Sequence, residues 1–229
     1  MKKALIIGAS SSIGKFIVKR FMDAEVETIA TFSTKYDPPP GVTAIKLNLE
    51  DEKSITDFAE NINNNHKIDV AIFAASILPG ANLAEYTFDL ISQVMDVNFT
   101  GQAKLLQAIS PAFNNNGQVI MISSISAHAG SYDPIYAASK GAISSLVKAL
   151  ATWMAPKIRF NAIAPGLIED STMFDDMSPS RRSHHVNNTP TKQLLRPEAL
   201  AEVVFDICQP HWNQMNGACI SLNGGRHVL

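Results

Sequence analysis

Hydrophobic positions along the chain form two patterns that alternate from one end to the other. Short runs rich in Val, Ile, Leu, Ala and Phe are typical of strands buried on both faces. Seven such runs occur, in the order KALIIG, VETIATF, VTAIKLNL, IDVAIFAAS, QVIMISS, KIRFNAIAPG and GACISLNGG. Between them, apolar residues recur three or four positions apart, which predicts helices. The first helical segment shows this spacing at Ile13, Phe16, Ile17 and Phe21.

The alternation predicts an α/β fold, a Rossmann-like doubly wound sheet of about seven mostly parallel strands with helices on both faces. No repeat or linker divides the 229 residues, so we expect a single domain over 1–229. A long helix is expected over roughly 87–113, and another begins with Asp133 as N-cap and Pro134 at the first helical position.

The stretch from about 169 to 195 is polar and lacks periodicity. It is longer than an ordinary connection in a packed domain. We interpret it as a substrate-binding loop or lid, and the alternative is a disordered surface loop.

Composition narrows the class of protein. Hydrophobic residues make up 46% and charged residues 17%, and the net charge is −2 without a run of like charges, so we expect neither a nucleic-acid nor a membrane partner. The apolar run at the start, Ala4 to Ile7, is too short for a signal-peptide core or a membrane span. Two cysteines, Cys208 and Cys219, lie outside any metal-binding spacing. We therefore expect a cytoplasmic protein without a metal site.

A glycine- and serine-rich turn, IGASSSIG, follows the first predicted strand. At this place in a doubly wound sheet, the pyrophosphate of a dinucleotide meets the N-terminus of a helix. The glycines would allow the tight turn and close packing, and the serine hydroxyls could bind phosphate or ribose. The candidate residues are Gly8, Ser10, Ser11, Ser12, Ile13 and Gly14. The alternative is that this is only a turn.

The stretch SYDPIYAASKG places Tyr136 and Lys140 four positions apart, on one face of a predicted helix. A nearby ammonium would lower the pKa of the phenol from about 10, so that it could exchange protons near neutral pH. The alternative is that Tyr136 only packs and Lys140 is a solvated surface charge.

Taken in register, these motifs resemble the short-chain dehydrogenase/reductase family over essentially the whole chain. That family has a glycine-rich first turn, N-N-A-G after strand four, an asparagine in the long helix, a serine after strand five, Y-x-x-x-K, and P-G after strand six. The matching stretches here are IGASSSIG, FAAS, VNFTG, ISSIS, YAASK and APG, followed by RPEALAEVVFDI and NGACISLNGG.

The resemblance implies roles for individual residues. Tyr136 would be the general acid/base, and Lys140 would bias Tyr136 and bind the nicotinamide ribose. A serine would hold the substrate oxygen, and Asn98 would anchor a water in a proton relay. For the cofactor the resemblance adds Tyr136 and Lys140 themselves, together with Ser33, Lys35, Asn48, Leu49, Ala74, Ala75, Pro165, Gly166 and Ile168.

The identity of the catalytic serine depends on the register. Ser124 ends the serine pair but lies twelve positions before Tyr136, whereas Ser123 lies thirteen before it, which is the family spacing. Side chains alternate along a strand, so the two cannot both face the substrate. We favour Ser124, because shortening the next loop costs less than shifting a buried strand. Ser126 is a third candidate.

The chain also departs from the family pattern. Ile7 replaces a threonine and Ser12 replaces the middle glycine of the turn. FAAS lacks both asparagines, so the bonds that they would make are absent or replaced.

Cofactor choice depends on the end of the second strand. An acid there would bind the ribose 2′-hydroxyl and repel a 2′-phosphate, but this chain has Ser33, Thr34 and Lys35. We therefore favour NADP(H) over NAD(H), although no arginine precedes Ser12.

The leading interpretation is an NAD(P)(H)-dependent oxidoreductase that interconverts a small-molecule secondary alcohol and a ketone. One alternative is a non-catalytic nucleotide-sensing or scaffold protein with the same fold. Another is a sugar-nucleotide epimerase or dehydratase, which shares Y-x-x-x-K but has a longer C-terminal substrate domain. The resemblance also implies a homotetramer or homodimer that assembles through the two long helices.

Overall fold

The computed structural model describes residues 1–175 and 177–228. Its centre is a seven-stranded sheet in the order β3-β2-β1-β4-β5-β6-β7, in which every neighbouring pair is parallel. The strands are β1 (Lys3–Ile7), β2 (Glu27–Phe32), β3 (Thr43–Lys46), β4 (Ile68–Phe73), β5 (Phe113–Ile122), β6 (Ile158–Pro165) and β7 (Cys219–Leu222). The predicted doubly wound sheet is confirmed.

Helices connect the strands and cover the sheet. In chain order they are α1 (Ser12–Asp23), α2 (Glu52–Asn65), α3 (Phe88–Met95), α4 (Gly101–Ile109), α5 (Ser126–Ala129), α6 (Pro134–Trp153), α7 (Thr172–Asp175), α8 (Pro179–Asn187) and α9 (Pro197–Asp206). Within the described part of the chain, none of them combines the length and the apolar character needed to cross a bilayer.

Alternate side chains of the strands enter two separate apolar layers. On β1, Leu5 and Ile7 pack with α2, α4 and α6, whereas Ala4 and Ile6 pack with α1 and α9. All four side chains are essentially inaccessible to solvent. Burying a large apolar side chain contributes roughly 1.5–3 kcal/mol, so the continuous apolar runs of the strands are explained by burial on both faces.

The helix predicted over 87–113 is interrupted. A π-helical turn, Asp96–Thr100, separates α3 from α4, and a short 3₁₀ turn follows α4. A Cβ at Gly101 would lie 2.1 Å from the Leu49 carbonyl oxygen, so the helix passes very close to the segment after β3. The apolar spacing alone did not reveal this break.

Three consecutive asparagines precede the apolar part of β5 and belong to that strand. β5 begins at Phe113, and Asn116 has a φ of +63°, a conformation that asparagine tolerates better than most residues. The register against β4 shifts between Ile68 and Val70. A local β-bulge therefore accommodates the polar run.

The segment over 169–195 contains two helices, α7 and α8, where we expected an irregular loop. Ser178 caps α8, since its hydroxyl accepts a hydrogen bond from the Arg181 amide. The segment closes on itself at its base, because the Glu169 amide donates to the Leu195 carbonyl at 2.9 Å. Asp176 lies in this segment but outside the described residues.

Candidate active site

The predicted site residues come together at the carboxyl edge of the sheet. Gly8 follows β1, Ala74 and Ala75 follow β4, Ser123 and Ser124 follow β5, and Gly166 follows β6. The order of strands reverses between β1 and β4. Ligands of doubly wound sheets bind in the crevice at such a switch point.

The glycine turn is held by close backbone contacts. Gly8 has a φ of +84°, and a Cβ there would lie 2.6 Å from the Cα of Ala75. A Cβ at Gly14 would lie 2.2 Å from the Gly8 carbonyl oxygen. The Gly8 amide donates to the Thr31 hydroxyl on β2 at 3.1 Å. Both glycines are therefore required by the path of the chain.

Ser11 acts inside the turn. Its hydroxyl donates to the Gly8 carbonyl at 2.8 Å and accepts from the Gly14 amide at 3.0 Å, which caps α1. Ser10 and Ser12 are the other hydroxyls of the turn, and both are partly exposed.

The start of α1 fits an anionic group. The amides of Ser12 and Ile13 lie in the first turn, where a helix provides no acceptors of its own. The first turn carries no acidic residue, and the exposed Lys15 lies next to it. A helix N-terminus with this charge distribution attracts phosphate. The turn therefore fits the pyrophosphate of a dinucleotide.

A surface pocket of about 520 Å³ lies beside this turn. Its wall includes Ser10, Lys15, Lys35 and Tyr36, and also the carboxylates of Asp23 and Asp37. Lys19, which also lines it, is paired with Asp23 at 2.7 Å. Ser33 lies nearby at the end of β2 and is exposed.

Asn48 and Leu49 follow β3. The Asn48 amide donates to the Ser54 hydroxyl at 2.9 Å, and the Leu49 backbone contacts Gly101. On the opposite side, Gly166 follows β6, and its amide donates to the Leu222 carbonyl at 3.0 Å. Ile168 pairs with Leu195 at the base of the 169–195 segment.

Tyr136 and Lys140 lie in the first two turns of α6 and are 8% and 2% exposed. The Lys140 amine is 5.6 Å from the ring centre of Tyr136 and donates to the Ile122 carbonyl at 2.9 Å. The two side chains share a face, as expected. Lys140 is buried, so the alternative of a solvated surface charge is wrong.

The protonation of this pair differs from our expectation. Burial raises the pKa of Tyr136 to about 12; a hydrogen bond with Ser124 acts in the opposite direction, and the charge of Asp133 adds to the increase. Burial lowers the pKa of Lys140 to about 7. Lys140 is not among the groups that shift the pKa of Tyr136 here, and that pKa is raised rather than lowered, which differs from the effect that we expected of the lysine.

The two serines after β5 have different surroundings. The Ser124 side chain lies close enough to Tyr136 to lower the pKa of its phenol, and its hydroxyl accepts from the Ser126 amide at 3.1 Å. The Ser123 hydroxyl is buried beneath α6, where it donates to the Lys140 carbonyl at 3.0 Å and lies 2.9 Å from the Ser144 hydroxyl. Of the two serines, Ser124 is therefore the one whose side chain lies next to the Tyr136 phenol.

Asn98 lies in the π-helical turn and is completely buried. Its amide nitrogen donates to the Ile77 carbonyl at 2.9 Å and to the Ser139 hydroxyl at 3.1 Å. Its side-chain oxygen accepts from the Ile77 amide at 2.8 Å. Both side-chain donors are thus in use, so a water anchored by this residue would have to donate to one of its two carbonyl oxygens.

Two polar residues near the site were not identified from the sequence. Gln102 is 2% exposed and donates to the carbonyls of Ala75 and Val97 at 2.8 and 3.1 Å. It therefore supports the FAAS stretch from α4. Asp133 was predicted only as a helix cap, yet it also accepts hydrogen bonds from the segment after β4. For Gln102, the signal in the sequence was the presence of a glutamine within an apolar helix.

The described residues do not form a cluster of metal-binding side chains. Across residues 1–175 and 177–228, no three His, Cys, Asp or Glu side chains are grouped so that they could hold a metal ion. The chemistry that this edge of the sheet offers is therefore that of a phenol, a hydroxyl and a buried amine.

Known proteins resemble this chain over almost its full length. A family model described as enoyl-(acyl carrier protein) reductase matches residues 8–227. A 3-oxoacyl-(acyl-carrier-protein) reductase FabG from Thermotoga maritima is 28% identical over 239 residues, which cover 98% of this chain and 97% of that protein. A granaticin polyketide synthase putative ketoacyl reductase 2 from Streptomyces violaceoruber is 27% identical over 242 residues, with 99% and 96% covered.

Solved structures share the fold. A short chain dehydrogenase family protein from Francisella tularensis superposes with a TM-score of 0.91 at 22% identity, covering 99% of this chain and 98% of that one. A short-chain dehydrogenase/reductase from Serratia marcescens has the same TM-score and coverage at 23% identity. With the family model covering nearly every residue, the chain belongs to the short-chain dehydrogenase/reductase family and is an oxidoreductase.

Proposed function

We propose that the protein is an NAD(P)(H)-dependent oxidoreductase that interconverts a secondary alcohol and a ketone by hydride transfer, with Tyr136 as general acid/base. The observation that carries the proposal is the burial of Tyr136 next to Lys140, with the Ser124 side chain close enough to lower the pKa of the phenol. These three groups lie at the same sheet edge as the Gly8 turn.

In the reducing direction, the hydroxyls of Ser124 and Tyr136 hold the substrate carbonyl oxygen. A nicotinamide cofactor, when bound, would supply the hydride for the carbonyl carbon. Tyr136 donates its proton to the oxygen, so the product is a neutral alcohol. A phenol with a pKa of about 12 is fully protonated at pH 7, which suits it to act as an acid. This favours ketone reduction.

Lys140 and Asn98 would support proton transfer by Tyr136. The Lys140 amine, with a pKa of about 7, can gain or lose a proton under ordinary conditions and can thereby return a proton toward Tyr136. It would also bind the nicotinamide ribose hydroxyls. Asn98 fixes the helix turn next to it through Ser139, and its backbone carbonyl would hold the relay water.

The cofactor would lie along the edge from the α1 turn to α6. The pyrophosphate would be held by Gly8, Ser10, Ser12, Ile13 and Gly14. The residues that follow β3, β4 and β6 would line the rest of the cofactor groove. Lys15 and Lys35 in the neighbouring pocket support NADP(H) over NAD(H). Thermal unfolding with NADPH and with NADH checks the preference. Ser33→Asp is expected to reduce the shift with NADPH and spare that with NADH, and equal shifts in the original protein would contradict the preference.

The names of the relatives support a substrate class, because two of them are 3-oxoacyl-(acyl-carrier-protein) reductases and a third is a putative ketoacyl reductase. We infer that the substrate is a ketone, with a 3-oxoacyl thioester as the first compound to assay. The segment over 169–195 would form the lid or binding loop over it, within the single domain that spans 1–229.

The decisive experiment is Tyr136→Phe, assayed for NADPH oxidation with a 3-oxoacyl thioester. Loss of the proton donor is expected to lower kcat at least about 100-fold, while NADPH still raises the melting temperature. Tyr132→Phe is the matched control, because Tyr132 is exposed and lies just before the same helix. Unchanged turnover in Tyr136→Phe would overturn the mechanism. Binding of NADPH without turnover in the original protein would favour the non-catalytic, nucleotide-sensing alternative.

The protein would also assemble with itself. Phe88 on α3 and Trp153 on α6 are 90% and 84% exposed, which is unusual for large apolar side chains on a monomer. We propose a homodimer or homotetramer that covers them. Light scattering is expected to give a multiple of 24.8 kDa, and Phe88→Glu with Trp153→Glu is expected to lower it. A monomer in the original protein would contradict this.

A further inference from the structure

Asp133 is a buried carboxylate that serves two parts of the chain at once. It is 2% exposed. One oxygen, Oδ1, accepts from the Tyr136 amide at 2.9 Å, which caps α6. The other oxygen, Oδ2, accepts from the amides of Gly80 and Ala81 at 3.0 and 3.3 Å. A helix cap needs only the first of these bonds, so the others have a separate purpose.

Tyr86 adds a fourth bond to the same carboxylate. Its hydroxyl donates to Oδ1 at 2.6 Å. Burial, followed by the hydrogen bond to Asp133 and its charge, raises the pKa of the Tyr86 phenol. The phenol therefore keeps its proton and remains a donor at any pH where the protein works. Among the described residues, no lysine, arginine or histidine forms an ion pair with Asp133.

Apart from the Tyr136 amide, the bonded partners lie in one segment, residues 80–86, that follows β4. Gly80 has a φ of +72°, so the chain turns sharply where it meets the carboxylate. Asn98 holds the same stretch at Ile77 and is itself bonded to Ser139 on α6. The segment after β4 is thus fixed to α6 at two places, on either side of Tyr136.

We propose that Asp133 is a positioning residue, whose carboxylate fixes the 80–86 segment against the first turn of the helix that carries Tyr136 and so shapes the substrate side of the crevice. It touches neither substrate nor cofactor. The proposal rests on the proposed function, because it concerns the geometry of that same site.

We call the hydrogen bonds from Gly80, Ala81 and Tyr86 to Asp133 the clamp, and the hydrogen bond from the Tyr136 amide the cap. Two substitutions distinguish the clamp from the cap. In Asp133→Ser the hydroxyl still caps α6 but is too short to reach Gly80, Ala81 and Tyr86 as well. In Asp133→Asn the shape is preserved, but one oxygen becomes an N–H donor that must face other donors. Asp51→Ser is the matched control, since Asp51 caps α2 through the Lys53 amide at 3.0 Å, away from Tyr136. Tyr86→Phe removes only the hydrogen bond from Tyr86 to Asp133 and leaves those from Gly80 and Ala81 in place.

Hydrogen exchange tests the clamp without any assay of turnover. In Asp133→Ser and Asp133→Asn, the amides of Gly80 and Ala81 are expected to exchange about tenfold faster, as loss of one or more charge-assisted bonds implies. Amides in the later turns of α6 are expected to be unchanged in Asp133→Ser. Unchanged exchange at Gly80 and Ala81 in both variants would overturn the proposal.

Kinetics test the consequence for the site. In Asp133→Asn the KM for the ketone is expected to rise about tenfold and kcat to fall, while the Kd for NADPH stays the same. Tyr86→Phe is expected to show a smaller change in the same direction, and Asp51→Ser none. A purely structural role would lower the active fraction and leave KM unchanged, and that result would overturn the proposal. If the original protein shows no turnover, the proposed function fails and the exchange measurement alone decides whether Asp133 fixes the segment.

Discussion

The Lys140 amine donates a hydrogen bond to the carbonyl of Ile122 at 2.9 Å, directly before the two serines that follow β5. The residue is thus anchored to the sheet, beneath Tyr136 and out of contact with solvent. Its low pKa follows from that burial. A proton on this amine is therefore costly in the folded protein, and this has measurable consequences for stability.

The free energy of unfolding is expected to rise between pH 7 and pH 9, by about 1 kcal/mol per pH unit. In this range the unfolded chain keeps the proton on Lys140, while the folded chain, with a pKa of about 7, releases it. The destabilising effect is fully present below pH 7 and is lost as the pH rises. Urea titrations at pH 7, 8 and 9 measure it.

Lys140→Met is expected to abolish this rise, whereas Lys148→Met, an exposed position on the same helix, should preserve it. The pKa values of Cys208 and Tyr136 are both raised to about 12, so each opposes the rise once its unfolded form ionises, which begins at about pH 8 for the thiol and above about pH 9 for the phenol. A rise that persists in Lys140→Met would show that another group is responsible.

The two serines after β5 are expected to respond in opposite ways to alanine. Ser124→Ala removes the hydroxyl beside Tyr136 and is expected to lower kcat about 100-fold with little loss of stability. Ser123→Ala leaves the Lys140 carbonyl and the Ser144 hydroxyl short of a partner, so it should cost about 1–2 kcal/mol in unfolding free energy and retain turnover. Steady-state kinetics and urea unfolding of both variants provide the comparison. The reverse pattern would make Ser123 the catalytic serine.

Gly8→Ala is expected to destabilise the protein by about 3 kcal/mol and to abolish the thermal shift with NADPH. The added methyl group would collide with Ala75 and force a positive φ on alanine. Gly41→Ala is the control, because its φ of +89° is similar but nothing lies within 4 Å of the added carbon. That variant should lose about 1 kcal/mol and keep the shift. Similar losses in the two variants would mean that the contact with Ala75 is unimportant.

Asn98→Ala is expected to lower the free energy of unfolding by about 3 kcal/mol. It leaves the amide and carbonyl of the half-buried Ile77 without their side-chain partner, and an unpaired group that is shielded from water costs roughly 1–3 kcal/mol. Asn64→Ala, at an exposed helical position, should change stability by less than about 0.5 kcal/mol. A small effect at Asn98 would indicate that water replaces the lost bonds.

The sheet could be predicted from the sequence because its strands are apolar on both faces. β1 shows why: Leu5 and Ile6 enter opposite layers, so no polar position interrupts the run. α8 could not be predicted in the same way, since it contains Arg181, Arg182, His184 and His185 and buries no residue. A helix without an apolar face leaves no periodic signal.

The sequence indicated that the candidate residues meet at one edge of the sheet, but it did not indicate the protonation of Tyr136 and Lys140. The spacing of Tyr136 and Lys140 places them on one face, which the structure confirms. Their protonation depends on burial by the surrounding elements, and spacing carries no information about that. Ser124 was favoured over Ser123 because shortening a loop costs less than shifting a buried strand, and the effect of the Ser124 side chain on the pKa of Tyr136 supports that choice. The second role of Asp133 depends on Gly80, more than fifty positions away in the chain.

The neighbours of β1 are β2 and β4, and Gly8 packs on Ala75. During synthesis, about seventy further residues must therefore leave the ribosome before Ala75, on which the glycine turn packs, is available. A fragment that ended after β3 would contain every residue of the turn and still lack the surface that shapes it. Refolding should accordingly be limited by this long-range closure, so recovery of nucleotide binding should lag behind the return of helical signal.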